Sequence, residues 1–352
     1  MLSQYNPFQL GVFSLRGTSG GLPPTKLCWS NVFGQPRQQQ QQQQQHHPPA
    51  LLLRPAAPLP FAASPASSSS SPPRPRLASV LLPADLVALM GDDGVRRANE
   101  PTSDLLFKAI FAGAFIGCGG MLCSSIGGDV GLPPGNEFWT AGKGLQRFVF
   151  GAVGFPLAII LTTITGSSAF TANVALAGAA VSQRKIRFRG TLKMLSTTYV
   201  GCLLGCMCVG LLACVADLPC VSPSQSIAFH KLDLKWKQTL ARGIGGGWLI
   251  AMAMTMANAV IGGGGNFTDV VLAIFFPVST YVMLDFEHCL ANFYFFSVSL
   301  FSGALNWDRD AHRLVKNIVF STLGNCIGAG IVAGGLLNRS MALLDKSKKR
   351  SI

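Results

Sequence analysis

The chain has 352 residues, of which 49% are hydrophobic and only 12% charged, with 39 glycines and a formal net charge of +13. About half the usual charged fraction, with apolar runs longer than soluble helices need, excludes an ordinary soluble domain and indicates a polytopic membrane protein. The basic residues lie in tails and short loops with no face interleaved with aromatics, which speaks against nucleic acid, and ten cysteines without a CxxC pair speak against a zinc site and a disulfide scaffold.

Met1 to Ala84 contains no Asp or Glu, while Arg16, Lys26, Arg37, Arg54, Arg74 and Arg76 are scattered through it. Gln38 to Gln45 and Ser67 to Ser71 are homopolymers, and prolines punctuate the rest. Such a stretch cannot bury a core, so residues 1–78 are expected to be disordered. Acid-poor, Arg- and Ser-bearing N-termini are what transit peptides look like, and the Ser/Pro/Ala bias favours a chloroplast envelope destination. A disordered cytosolic tail, with the plasma membrane as location, is the competing reading. Pro83-Ala-Asp85-Leu-Val-Ala-Leu-Met90 then predicts a short amphipathic helix opened by a proline.

Six apolar segments follow over residues 79–340: Leu105–Ile126, Phe148–Ile164, Met194–Ala216, Leu240–Ile261, an interrupted Phe267–Leu300, and Leu314–Leu337. Each spans or nearly spans a hydrocarbon layer, which takes about 20 helical residues. Glycines recur four apart in Gly113/Gly117, Gly201/Gly205, Gly243/Gly247 and Gly324/Gly328, a spacing that lets helices approach closely in lipid. The Arg184–Lys193 loop and the basic 341–352 tail are expected on the cytoplasmic or stromal side. The loop with Lys231, Lys235 and Lys237 falls on the other side, where it could gather anions.

The second segment gives way to Thr165-Gly166-Ser167-Ser168-Ala169-Phe170-Thr171-Ala172-Asn173, too polar and small to continue an apolar helix. The fifth carries Tyr281-Val-Met-Leu-Asp285-Phe286-Glu287-His288-Cys-Leu-Ala291-Asn292-Phe293 between two apolar runs. Ionisable groups at that depth cost about 2.5–3.5 kcal/mol each on insertion scales and usually face a cavity. A Glu–His pair that only fixes helix packing is the bland alternative. Paired interruptions, one in each half, point to an inverted-repeat transporter with its site at the midplane.

Phe286-Glu287-His288-x-x-Ala291-Asn292 resembles the "FEHSIANM" segment of the formate/nitrite transporter family. Phe170-Thr171-x-Asn173 resembles its "LFTGN" loop, Thr322-Leu-Gly-Asn325 its "TLGN", Ala112–Gly117 its first helix, and the Pro83 helix its N-terminal amphipathic helix. The resemblance covers roughly residues 80–340. It implies an all-α membrane protein with six transmembrane helices, an aquaporin-like inverted repeat with two broken helices. It also implies a homopentamer with a pore for small monovalent anions in each protomer and no cofactor. On the same resemblance His288 is the central pore histidine, Asn292 its neighbouring amide, and Thr171 a pore hydroxyl. Phe155, Ile159, Phe170 and Tyr281 fall at constrictions, Lys231 at a vestibule lysine, and Glu287 at a buried structural position. The chain departs from the pattern at Ser168 (usually an acid), Ala169 (usually Leu), Gly247 and Cys202 (each usually Asn), and losing the acid and the two amides is expected to remove hydrogen bonds worth about 0.5–1.5 kcal/mol each.

The chemistry also follows from the residues. An anion loses its hydration in a dry constriction, which is costly. Positive ends of half-helices near Asn173 and Glu287, with Lys231 outside, offset part of that cost. A histidine, with an ordinary pKa of about 6.5, could share a proton so that a weak acid crosses as a neutral species. Formate, nitrite and bicarbonate are all conjugate bases of weak acids. A neutral-solute pore lacks support in the absence of an Asn-Pro-Ala pair, and a non-transporting assembly member remains open through the departures above. A Glu287–His288–His312 metal hydrolase lacks a second ligand at helical spacing.

Overall fold

The computed structural model describes residues 80–129, 148 and 154–343. The chain divides into two units, Met1–Ser71 and Pro72–Ile352, and the described residues all belong to the second. The expected leader over 1–78, the start of the second apolar segment and nearly all of the basic tail lie outside them. Among the described residues every regular element is helical.

Helix α1 (Pro83–Asn99) has proline in its first turn and buries Leu86, Val87, Met90 and Ala98, while Asp92, Asp93 and Arg96 keep to the outer side. Then come α2 (Thr102–Asp129), α3 (Phe155–Ile164), α4 (Phe170–Ser182) and α5 (Phe188–Val215). An amphipathic α6 (Val221–Asp233) leads to α7 (Trp236–Gly263), α8 (Phe267–Met283), α9 (Cys289–Phe301) and α10 (Trp307–Asn325), which runs on into a π-helix (Cys326–Leu337). Among the described residues four helical runs are long and apolar enough to cross a membrane: Thr102–Ile126, Phe188–Val215, Trp236–Gly263 and Trp307–Leu343. The order long, short, short, long therefore occurs twice.

The glycines four apart sit where the long helices touch. A Cβ on Gly205 of α5 would stand 2.0 Å from the Ile110 carbonyl oxygen of α2, and one on Gly113 of α2 would stand 2.2 Å from that of Cys202. The second half repeats this arrangement. Gly328 faces the Ile244 carbonyl of α7 at 2.0 Å and Gly324 faces that of Leu240 at 2.5 Å. These helices meet backbone to backbone, which no larger side chain permits. The π-helix is used in the same way, with Gly334 against the carbonyl of Ala175 in α4.

The short helices end in left-handed turns. Gly166 has φ 68° after α3, and Asp285 has φ 55° after α8. Phe286 N–H donates to the Tyr281 carbonyl and Asp285 N–H to that of Val282, the paired bonds that close a helix on a left-handed residue. Aspartate tolerates that conformation better than most residues, and here its side chain is held by Arg242 and His230. The helices that follow open at Phe170 and Cys289, within three residues of Asn173 and Glu287, directly after the extended Ala169 and His288. Large apolar side chains such as Phe107, Phe188, Phe267 and Phe276 are exposed, as the lipid-facing sides of membrane helices are.

Candidate functional site

The polar residues of the long interrupted segment converge in the interior. His288 is the extended residue that opens α9, and it is 2% exposed. Its Nε2 lies 3.0 Å from Thr171 Oγ1 on α4, so the two short second helices meet through this hydrogen bond. Its backbone is held on both sides by Asn325. Asn325 Oδ1 accepts from Cys289 N–H (2.8 Å), and its Nδ2 donates to the Glu287 carbonyl (2.9 Å) and to that of Gly243 (2.8 Å).

Glu287 is fully buried and its carboxylate is saturated. Lys231 Nζ donates to Oε1 at 2.6 Å, and Asn292 Nδ2 and Asn317 Nδ2 donate to Oε2 at 2.7 and 3.2 Å. Asn317 also accepts from Asn292 Nδ2 (2.8 Å) and donates to the Lys231 carbonyl (3.0 Å). A buried charge needs this kind of complete pairing to be tolerated.

This corrects the expectation for Lys231. It stands not in an open loop but on the inner face of α6, ahead of α7, 5% exposed and paired with Glu287. The amphipathic helix buries one side, and Lys231 lies on that side with Ile227 and Ala228. Its task is to hold Glu287, which in turn orders Asn292 and Asn317.

The aromatic residues form the walls. Phe155 on α3 meets Tyr281 on α8 edge-on with ring centres 5.9 Å apart, and Tyr281 meets the His288 ring at the same separation. Phe155, Lys231, Tyr281, Asp285, Phe286 and Ala291 line a cavity of about 20 Å³, room for about one water. Ile159 is buried one helical turn beyond Phe155. Phe170 is also buried, but its ring packs at 4.9 Å on Tyr199 of α5, which packs in turn on Phe293. The structure thus joins Phe155, Tyr281, His288 and Thr171 by ring contacts and a hydrogen bond, and Lys231, Glu287 and Asn292 by hydrogen bonds, with Lys231 also on the cavity beside Phe155 and Tyr281. Phe170 and Ile159 are buried in the same apolar cluster as Phe155 and Tyr281.

Sequence reasoning missed Asn317, the role of Asn325, and the Arg242–Asp285–His230 group beside the cavity. A signal for the two asparagines was available. Asn317, Ser321 and Asn325 are spaced four apart, and all three are fully buried. The departures from the family pattern also have local answers. Ser168 keeps bonds to Arg97 and Asn173. At Gly247 a Cβ would stand 2.6 Å from the Asn325 backbone, so α10 occupies the space a side chain would need. Cys202 conforms to the expected loss, its Sγ lying a weak 3.9 Å from the Ser168 carbonyl, and at Ser168 Arg97 Nε and Asn173 Oδ1 are left buried without partners.

An all-helical body with long apolar runs, exposed apolar faces and a buried, mutually bonded polar centre defines an integral membrane protein of the channel and carrier class. The chain belongs to the formate/nitrite transporter family, whose profile matches residues 84–338. It is similar to a probable formate transporter of Methanothermobacter thermautotrophicus, 27% identical over an alignment of 271 positions that covers 71% of this chain and 93% of the relative. It is likewise similar to the formate channel BtFdhC of Bacillus thuringiensis, 27% identical over 71% of this chain and 92% of the relative. Among solved structures, an FNT family ion channel matches with a TM-score of 0.62 at 24% identity, over 71% of this chain and 96% of that one. A pentameric formate channel with formate bound matches with a TM-score of 0.55 at 23% identity, over 69% and 98%. Both likenesses concern the fold. The family is one of transporters, which removes the metal-hydrolase alternative.

Proposed function

We infer that the chain conducts small monovalent anions of weak acids, formate, nitrite or bicarbonate, along a proton-assisted path past His288. The observation that carries this reading is the Thr171–His288 hydrogen bond, which links the two short second helices at the buried centre. An imidazole held there by a hydroxyl can pass a proton to an anion that has shed its water, and the neutral acid then crosses the apolar walls at much lower cost. Phe155 and Ile159 act as constriction residues on one wall, and Phe170 and Tyr281 as constriction aromatics at the two breaks. Asn292 orients the centre.

The repeated order of long and short helices supports six crossings in inverted repeat, with α3–α4 and α8–α9 as two broken helices. The likeness to a pentameric formate channel supports a homopentamer. The acid-poor leader supports a chloroplast envelope location, with the plasma membrane as the alternative.

The test is uptake of formate, nitrite and bicarbonate into proteoliposomes with and without an inward proton gradient, beside water permeability. Gradient-driven anion flux is expected from the native chain. His288→Phe should lower it to the level of empty liposomes while the protein stays folded. Undiminished, pH-dependent flux in that variant would refute the role of His288. Water flux alone would make the chain a neutral-solute pore, and no flux from folded protein would make it a non-transporting family member.

A further inference from the structure

The two halves repeat the bonds at their breaks as well as their helix order. Glu287 N–H donates to the Arg242 carbonyl of α7 (3.1 Å), and Ser168 N–H donates to the Lys108 carbonyl of α2 (3.3 Å). Asn292, five residues after Glu287, donates its amide to that side chain at 2.7 Å; Asn173, five residues after Ser168, donates to Ser168 Oγ at 2.8 Å. Lys231 reaches Glu287 from α6, just as Arg97 reaches Ser168 Oγ from α1 with Nη1 at 2.8 Å. Ser168 therefore stands where Glu287 stands, and Arg97 where Lys231 stands. The cation is present in both halves, but the carboxylate is present in only one.

The local charges do not make up the difference. Asp93 is bonded to Arg96, and Glu100 to Arg96 and Lys108. Among the described residues no carboxylate lies within ion-pair distance of Arg97. Hydrogen-bond donors are also in excess. Arg97 Nε is buried without a partner. Ser168 Oγ accepts from both Arg97 and Asn173, leaving its own hydrogen without an acceptor among the described residues. Turning the Asn173 amide over would satisfy that hydrogen through Oδ1, itself unpartnered, but would strand the amide N–H groups instead. Ser168 and Asn173 are fully buried at the start of the thirteen-residue helix α4. Burial also holds the Arg97 pKa below its ordinary value, though too high to lose the proton near neutrality.

We propose that Arg97 and Ser168 form a binding site for a small free carboxylate such as formate, which takes the place that the Glu287 side chain fills in the other half. Two carboxylate oxygens suit a guanidinium edge and a hydroxyl together, and helix α4 presents its positive end to the same spot. This deepens the transport reading and rests on it only in taking the ligand to be an anion the path carries; binding is measured without flux, so the two fail separately.

The experiment is thermal unfolding of the detergent-solubilised full chain in sodium formate against sodium gluconate at equal ionic strength. Formate is expected to raise the midpoint saturably, by about 3–6 °C at ten times its dissociation constant. Ser168→Glu supplies a tethered carboxylate, so it should raise the midpoint in gluconate and abolish the response to formate. Arg97→Gln should abolish the response as well, while His288→Phe should keep it. No response in the native chain, a response that survives in both Ser168→Glu and Arg97→Gln, or one lost in His288→Phe would overturn the assignment, as would an equal rise with chloride.

Discussion

The Lys231–Glu287 pair offers the sharpest test of the buried network. With the lysine 5% and the glutamate 0% exposed and their charged atoms 2.6 Å apart, removing either partner leaves the other charge buried without its ion-pair partner. Glu287→Gln turns an N–H₂ group toward the ammonium or toward the donating amides of Asn292 and Asn317, so a clash of donors adds to the lost ion pair. Lys231→Met leaves the carboxylate with only its two amide donors. Each single change should cost about 3–5 kcal/mol. At about 2–4 °C per kcal/mol, that lowers the melting midpoint in detergent by roughly 6–20 °C. The double variant Lys231→Met/Glu287→Gln buries no charge, so it should melt above the level set by adding the two losses, with a coupling of about 2 kcal/mol or more. Fluorescence-detected size-exclusion after graded heating, all variants at one heating time, gives the comparison. Additive losses would refute the reasoning, because they would mean that the two charges are solvated independently.

Two further outcomes follow from the same geometry. Gly247→Ala places a methyl group 2.6 Å from the Asn325 backbone, so it should cost about 1–3 kcal/mol by overpacking; an unchanged midpoint would show that α7 and α10 part freely. Asn325→Ala removes three bonds that fix the peptides on either side of His288 and should cost about 2–4 kcal/mol. It should also lower anion flux in the protein that remains folded, and unaltered flux would show that His288 positions itself.

How much was legible in the sequence depended on contrast and on distance along the chain. His288, Asn292 and Glu287 stood out because polar residues interrupt an apolar run, and the glycine pairs because their spacing of four matches one helix face. Lys231 was read as part of an open loop because α6 looks like a polar connector and its partner lies 56 residues away. Asn317 was hidden by its charged neighbours Arg313 and Lys316, which make the start of α10 read as a polar surface although both reach to α6. Ser168 was recognised as a departure, but a single sequence says nothing of what approaches it. Arg97, 71 residues earlier, became part of that centre only when α1 was seen to lie against α4.

The backbone contacts at Gly113, Gly205, Gly324 and Gly328 have a mechanical consequence. Where two helices touch through carbonyl oxygens and glycine Cα atoms, no side chain lies between them to yield by changing rotamer. α2 with α5, and α7 with α10, therefore form two stiff frames that resist sliding, since a shift of even one ångström would drive main-chain atoms into each other. The π-helix holds α4 by the same kind of contact, at Gly178 and Gly334. Compliance is left to α3 and α8 and to the turns at Gly166 and Asp285, so an opening or closing of the centre would be a tilt of α3 or α8, with the aromatic rings of Phe155 and Tyr281 riding on moving struts inside a fixed housing.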